Sequence, residues 1–375
     1  MKNQTRRTFL KSGSVLSASV LASSMMSIIP ASASSPTDAA QKNAKVKERT
    51  LGTGKHSLRI NHGMGLGCMG MSWNRSFVPD RNNSIAVIRK AYDMGVNFFD
   101  TAEAYGPHTN EVLVGEAIKS FRKNIILCSK FGFEIQNGKF IPGAFNSKPQ
   151  HIREVVEASL KRLHTDHIDL LYQHRVDPAV PIEEVAGTVK DLIKEGKVLH
   201  FGLSEAGVEN IRKAHAVQPL TALQTELSLM TRDPLGEIFS VCEELGIGFV
   251  PYSPLSRALL TGFINERKKY NPNNDNRPGL QRYQEAAIKA NWGIIEFLTD
   301  FGNQRGLTPA QVSLAWLLSL KPWVVPIPGT TKLAHLQENL WSASIELTVE
   351  ELSQINTFIS NFKITGDRYA TPQTR

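Results

Sequence analysis

Cysteine is scarce in this chain: Cys68, Cys128 and Cys242 are the only three among 375 residues. They are odd in number, widely spaced and never form a Cys-x-x-Cys pair. That excludes a disulfide framework, thiol–disulfide chemistry and a zinc knuckle, and leaves three buried core thiols as the reading. An excess of one charge is lacking too. The formal net charge is +8, but Lys2, Arg6, Arg7 and Lys11 supply four of those charges, leaving 39 of the 43 basic residues against 35 acidic ones. With no basic helix and no Arg-rich run, a nucleic-acid partner is excluded. A run apolar enough for a stable membrane anchor is also missing. The 26 residues from Ser12 to Thr37 carry no formal charge, but seven serines dilute them before Pro30. What the chain does have is 41% hydrophobic and 21% charged residues, a globular mixture that excludes a disordered chain.

The uncharged stretch has another use. It follows Thr5-Arg-Arg-Thr-Phe-Leu-Lys11, has an apolar centre around Val15, Leu16, Val20, Leu21, Met25, Met26, Ile28 and Ile29, and ends in Pro30-Ala-Ser-Ala33. A basic start, an apolar middle and small residues at the end make a cleavable signal peptide, and paired arginines before Phe-Leu-Lys resemble the twin-arginine export signal. The expected layout is a signal over 1–33, cut near Ala33, a polar linker over 34–50 and one folded body over 51–365. The expected partner is the twin-arginine export machinery and the expected location is outside the cytoplasm, in a bacterial periplasm.

Short apolar runs then alternate with helical patterns. The strand-like runs are 63–71, 96–100, 124–130, 168–174, 198–203, 221–225, 247–252 and 323–328, and between them lie segments such as Ile182 to Lys194 with apolar residues at spacings of three and four. Gly95, Gly196 and Gly246 fall just past helix ends. Alternation of this kind predicts parallel strands joined by crossover helices. Eight units with no linker between them predict a single (β/α)8 barrel; a doubly wound sheet is the alternative that periodicity alone leaves open. Residues 256–290 are predicted as a long polar loop over the barrel mouth, and Thr348 to Phe362 as an extra C-terminal helix.

Two motifs mislead. Gly65-Leu-Gly67-Cys-Met-Gly70 matches the G-x-G-x-x-G string of dinucleotide-binding folds, but its glycines lie inside a strand-like run with no helix opening at them. His164-Thr-Asp-His167 suggests a metal site, yet it precedes the fourth run, at the end of a barrel that carries no chemistry, and reads as a solvated turn.

Barrel chemistry gathers where strands end. The second run ends in Asp100-Thr-Ala-Glu-Ala-Tyr105-Gly, the third in Lys130 and the fourth in His174. A carboxylate, a phenol, an ammonium and an imidazole from three neighbouring strands would perturb one another strongly once buried. Lys130 would lower the proton affinity of Tyr105, Asp100 would hold Lys130 in place, and His174 would point a ring nitrogen at a substrate oxygen. Together they make an acid and a hydrogen-bond donor for an oxygen gaining negative charge, as carbonyl reduction requires. On spacing alone, an ion pair beside an unrelated tyrosine and histidine stays open.

Asp100-Thr-Ala-Glu-Ala-Tyr105-Gly, the Lys130 strand end, Leu171-Tyr-Gln-His174-Arg-Val-Asp and Phe201-Gly-Leu-Ser204 resemble the aldo-keto reductases, from about Gly63 to Leu340. The first strand looks most like the bacterial and plant subgroup acting on varied aldehydes and ketones. The resemblance implies an alcohol dehydrogenase or carbonyl reductase using NADP(H), with Asp100, Tyr105, Lys130 and His174 as catalytic tetrad. It implies that Ser204 and Gln224 hold the nicotinamide carboxamide, that Tyr252 stacks on the nicotinamide, and that Ser253, Leu255, Ser256 and Arg257 wrap the pyrophosphate. Gly329, Thr331, Lys332, Gln337 and Asn339 match the pocket for the 2′-phosphate and adenine. Gly329-Thr-Thr331 opening a helix independently offers backbone N–H groups to phosphate. Glu205 stands where many members have Asn, and one lysine with His335 stands where others have a further arginine. Met71, Trp73, Tyr105 and His174 would line a mouth for an apolar or aromatic carbonyl. A barrel that holds the cofactor without turnover, as the potassium-channel β subunits largely do, is the alternative. A metal-dependent hydrolase lacks ligand spacing at the first and sixth strand ends.

Overall fold

The computed structural model describes residues 46–369 apart from 74–76 and 272; the signal expected over 1–33 and residues 34–45 lie outside the described residues. The described chain opens with a hairpin, β1 (Arg49–Leu51) antiparallel to β2 (Leu58–Ile60). Its alternation puts Leu51, Leu58 and Ile60 on one face, and they pack with Phe98, Ile126, Leu170 and Val250. The hairpin thus plugs the end of the barrel where strands begin: Thr221 donates to the His56 carbonyl at 2.8 Å and Asn97 to that of Arg59 at 3.0 Å.

Strands and helices then alternate as β3 (Leu66–Gly67), α1 (Arg81–Asp93), β4 (Phe98–Asp100), α2 (Thr109–Ile118) and β5 (Ile126–Phe131). A second hairpin, β6 (Phe133–Gln136) with β7 (Lys139–Phe145), follows β5 directly. The alternation resumes with α3 (Pro149–Leu163), β8 (Ile168–Gln173), α4 (Ile182–Lys194), β9 (Val198–Ser204), α5 (Val208–Val217), β10 (Leu220–Glu226), α6 (Glu237–Leu245) and β11 (Gly248–Tyr252). The chain closes with α7 (Glu285–Asn303), α8 (Pro309–Leu320), α9 (Leu333–Trp341) and α10 (Val349–Asn361). Strands β3, β4, β5, β8, β9, β10 and β11 lie side by side, all parallel.

The eighth run, 323–328, closes the barrel without being a regular strand. Val325 and Ile327 donate to the Phe249 and Pro251 carbonyls at 2.9 and 3.1 Å, while the Pro326 and Pro328 carbonyls accept from Gly65 and Gly67 at 3.0 and 3.4 Å. The N–H groups that should face β3 belong to two prolines and do not exist, so the ladder on that side runs one way. The (β/α)8 barrel forms as the alternation predicts. Its first strand is shorter than 63–71, because the chain turns into a 3₁₀ helix at Met69–Met71. The glycines of the misleading motif serve packing: a Cβ at Gly65 would sit 2.4 Å from the Phe98 ring, and one at Gly67 would sit 2.9 Å from the Ile327 carbonyl.

The long loop expected over 256–290 is present but ends earlier, at Gln284, and is more ordered than its polarity suggests. Short 3₁₀ turns at Ser256–Thr261, Arg277–Gly279 and Gln281–Tyr283 organise it, and α7 already begins at Glu285. Polarity misleads in part because Arg257, Arg277 and Arg282 are buried and satisfied inside the fold. Arg277 is buried against Asp275 and the Arg257 carbonyl, and Arg282 donates to Thr231 at 2.8 Å. The helix predicted over Thr348 to Phe362 forms as α10, started by a capping box of Thr348 and Glu351. His164 ends α3 in a left-handed turn, and His167 pairs with Asp166 at 2.6 Å; no group of three metal-ligating side chains occurs among the described residues. No described helix is long and apolar enough to cross a membrane.

Candidate active site

The strand ends bring Asp100, Tyr105, Lys130 and His174 together. Asp100 is the last residue of β4 and Lys130 the penultimate residue of β5, while His174 follows β8; all four side chains are buried. Lys130 Nζ donates to Asp100 Oδ1 and to the Thr101 carbonyl, the latter at 2.8 Å. Asp100 Oδ2 accepts from Gln224 Nε2 at 2.8 Å. The lysine ammonium lies 5.0 Å from the centre of the Tyr105 ring, which meets the His174 ring edge-on at 5.6 Å.

Burial decides the protonation states. It disfavours the Lys130 ammonium, but Asp100 and then Tyr105 outweigh it and raise the group above the ordinary lysine value, so it stays charged. For Tyr105 the expected direction is reversed. Burial raises the phenol above its usual value by more than Lys130 lowers it, so Tyr105 keeps its proton across neutral pH. Burial, then Lys130 and Arg175, push His174 well below the ordinary histidine value. Its ring is therefore neutral, with Nδ1 buried and without a hydrogen-bond partner. The site holds a neutral acid, a fixed cation behind it and a neutral imidazole beside it.

In the loop after β4 another buried acid is perturbed. Burial, and next the Glu111 carboxylate, push Glu103 up to about 8 against the Gly132 N–H that it accepts at 3.2 Å. In the unfolded chain a glutamate ionises near pH 4.3. The folded state therefore holds an extra proton between these values, and stability is lost as pH rises from about 4.3 to about 8. Melting temperature is expected to fall across pH 5–8 in the wild type and to fall less steeply in Glu103→Gln; an unchanged slope in the variant would remove Glu103 from this role.

The mouth is aromatic. Trp73 lies 5.9 Å from Tyr105 and 5.9 Å from Phe140, and Phe133 packs edge-on to His174 at 4.7 Å. Phe133 and Phe140 come from the β6–β7 hairpin, which the eight-run reading misses. Its signal was present: Asn137-Gly138, both with positive φ, is the turn dipeptide of tight hairpins. Met71, expected at the mouth, is packed into the core instead, turned inward by its 3₁₀ helix.

The residues expected to hold a cofactor fall into two groups. At the ends of β9, β10 and β11, Ser204 accepts from Arg175 at 3.1 Å, Gln224 is committed through its amide N–H to Asp100, and Tyr252 is half-buried. In the loop beyond, Ser253, Ser256 and Arg257 have positive φ, so the backbone winds tightly there; Leu255 is half-buried between them. Arg257 points inward, paired with Glu226 at 3.0 Å. At the eighth run, Gly329 is exposed and Thr331 half-buried, and the start of α9 has no side-chain cap, with exposed Lys332 beside it. Gln337 is half-buried and Asn339 buried on α9. An uncapped helix start beside a lysine suits phosphate, and the half-buried Tyr252 ring at the end of the neighbouring strand β11 suits a flat base. The donor set thus fits a dinucleotide. Glu205 does not offer what an asparagine would: it accepts from Tyr252, Arg368 and the Glu226 N–H.

Known proteins share this fold. The profile of the Aldo/keto reductase family matches residues 63–360. A probable aldo-keto reductase 1 of Glycine max is 42% identical over 308 residues, 82% of this chain and 88% of the relative. The solved glycerol dehydrogenase AKR11B4 of Gluconobacter oxydans superposes with a TM-score of 0.74 at 25% identity, over 87% of this chain and 99% of that one. The holo form of the aldo-keto reductase AKR11C1 of Bacillus halodurans gives 0.66 at 25% identity, over 84% and 96%. A barrel with an acid, a lysine, a tyrosine and a histidine at three strand ends, matched over most of its length, belongs to the aldo/keto reductase family.

Proposed function

We propose that this protein reduces aldehydes or ketones to alcohols with NADPH, Tyr105 serving as general acid. The observation that carries it is the buried cluster of Lys130, Asp100, Tyr105 and His174 beneath an aromatic mouth. Bound NADPH would supply the hydride at the nicotinamide. A carbonyl carbon gains that hydride while its oxygen gains negative charge and then a proton. Tyr105, kept protonated by burial, donates that proton. Lys130, held by Asp100, stabilises the phenolate that remains. The neutral His174 ring hydrogen-bonds the same oxygen and fixes its position. Trp73, Phe133 and Phe140 favour a flat apolar or aromatic substrate and keep water out. NADPH consumption measured with aromatic aldehydes, aliphatic aldehydes, ketones and sugars tests the class. Aromatic carbonyls are expected to be fastest; a preference for sugars would count against the aromatic mouth.

The same reading places the 2′-phosphate of NADPH at Lys332. A charge-assisted contact of this kind contributes about 1.5–3 kcal/mol, or about 10- to 100-fold in affinity. Lys332→Met is expected to weaken NADPH by that factor and leave NADH nearly unchanged. Equal losses for both cofactors would put the phosphate elsewhere.

Export through the twin-arginine route belongs to the proposal as well, because that route carries folded chains and lets a reductase leave the cytoplasm with its cofactor bound. Wild-type protein is expected outside the cytoplasm, cut near Ala33 and carrying NADP(H). The double variant Arg6→Lys with Arg7→Lys is expected to stay inside at full length and active. Wild type found in the cytoplasm with Met1 to Ala33 attached would defeat the export reading.

A further inference from the structure

The last described residues, Gly366–Tyr369, do not trail away from the barrel but run into its mouth. Thr365 is clamped beforehand by Asn291, which donates to its carbonyl at 2.8 Å and accepts from its N–H at 2.9 Å. Gly366 then crosses the 281–283 turn so closely, at φ +85°, that a Cβ would lie 2.8 Å from the Arg282 nitrogen. Asp367 N–H donates to Gln281 at 3.2 Å, and the Arg282 N–H donates to the Asp367 carbonyl at 3.4 Å. The segment is thereby tied to the loop that follows β11.

Its two final side chains reach the strand ends assigned to the nicotinamide. Arg368 donates through both terminal nitrogens to Glu205, at 2.8 and 2.6 Å, and lies 3.8 Å from Glu226. Glu205 also accepts from the Glu226 N–H and from Tyr252 Oη, each at 2.9 Å. A carboxylate has about four lone-pair sites, so this one is filled. Glu205 also sits in the left-handed region at φ 57°, a conformation that persists in a non-glycine residue only when its surroundings enforce it. Tyr369 completes the arrangement. Its hydroxyl meets Tyr252 Oη at 2.5 Å and accepts from Arg175 at 3.4 Å, and Arg175 also donates to Ser204. The Arg257 guanidinium lies 5.2 Å from the centre of the Tyr369 ring. The two tyrosines touch through their hydroxyls, and Tyr252 keeps part of its surface open.

We propose that Arg368 and Tyr369 form a clasp on the cofactor site: they fix Glu205, Tyr252 and the loop after β11 in the bound geometry and slow cofactor release. This rests on the cofactor reading given above. Stability alone is a poor reason for such a cluster, since buried ion pairs are often no better than apolar packing of the same volume. The cluster instead joins the groups a nicotinamide would touch, Ser204 and Tyr252, to the loop expected to wrap the pyrophosphate. Arg368 and Tyr369 act through those groups and are positioning residues.

The test is the dissociation rate of NADPH from the purified full-length protein, followed by stopped-flow fluorescence as excess NADP⁺ displaces it. Arg368→Gln is expected to release NADPH about tenfold faster or more, since a charge-assisted bidentate contact is lost. Tyr369→Phe, which removes a single hydroxyl and leaves the fold intact, is expected to release it about threefold faster. Arg368→Lys should recover part of the loss. Wild-type release rates in Arg368→Gln and Tyr369→Phe, with only the melting temperature lowered, would make the contact structural and overturn the clasp. Slower release or tighter binding in either variant would mean that the segment obstructs the site, which overturns it equally. If wild type binds NADPH and the variants release it unchanged, the clasp alone is wrong; if wild type binds no nicotinamide cofactor, the reading of the site is wrong and the clasp falls with it.

Discussion

Tyr105→Phe is expected to lower kcat for carbonyl reduction by about 10²-fold or more while cofactor affinity stays near that of the wild type. Phenylalanine keeps the ring packed against Trp73 and His174 and removes only the proton donor. Because burial raises the Tyr105 phenol above its ordinary value and lowers His174 below its own, neither group titrates near neutrality. Wild-type kcat should therefore show no break near pH 6.5, the ordinary histidine value. Retention of more than a tenth of wild-type kcat in Tyr105→Phe would remove the tyrosine from its role.

Lys130→Met is expected to do comparable damage to kcat and, unlike Tyr105→Phe, to destabilise the fold. The lysine is fully buried, and its partner Asp100 keeps only the Gln224 hydrogen bond once the ammonium is gone. Removing one member of a buried pair costs about 3–5 kcal/mol, because the remaining charge is left without compensation. Adding Asp100→Asn to Lys130→Met should recover much of the stability and none of the activity. Thermal unfolding and steady-state rates on the single and double variants check both halves. A Lys130→Met protein as stable as wild type would show that Asp100 is not the buried, paired carboxylate described above.

The meeting of Asp100, Lys130 and His174 at one rim was legible in the chain because it obeys a positional rule. Asp100, Lys130 and His174 each stand where an apolar run stops, and the fold places such positions at one rim. The barrel itself was legible through alternation, including the eighth run, although Pro326 and Pro328 keep that run from pairing as a regular strand. Three other features were not. The β6–β7 hairpin interrupts the alternation with a short, half-buried pair whose only local mark is Asn137-Gly138. The direction of the Tyr105 shift depends on how far burial outweighs one lysine, a balance that residue types do not reveal. The contact of Arg368 with Glu205 spans 163 positions, and nothing local in Gly366-Asp-Arg-Tyr369 marks it as part of the mouth. Glu205 was visible as a departure from the family's asparagine, and its partner was the missing half of that observation.

Hydride transfer to a carbonyl at the Tyr105 site is tested most directly by transfer of deuterium. Wild-type protein is given an aromatic aldehyde and NADPH carrying deuterium at the transferable position of the nicotinamide, and the alcohol is examined by mass spectrometry and NMR. One deuterium is expected on the carbinol carbon for each NADPH consumed, and almost no product from Tyr105→Phe on the same timescale. Cofactor that binds tightly and is never consumed, or alcohol that forms without deuterium, would contradict hydride transfer at this site.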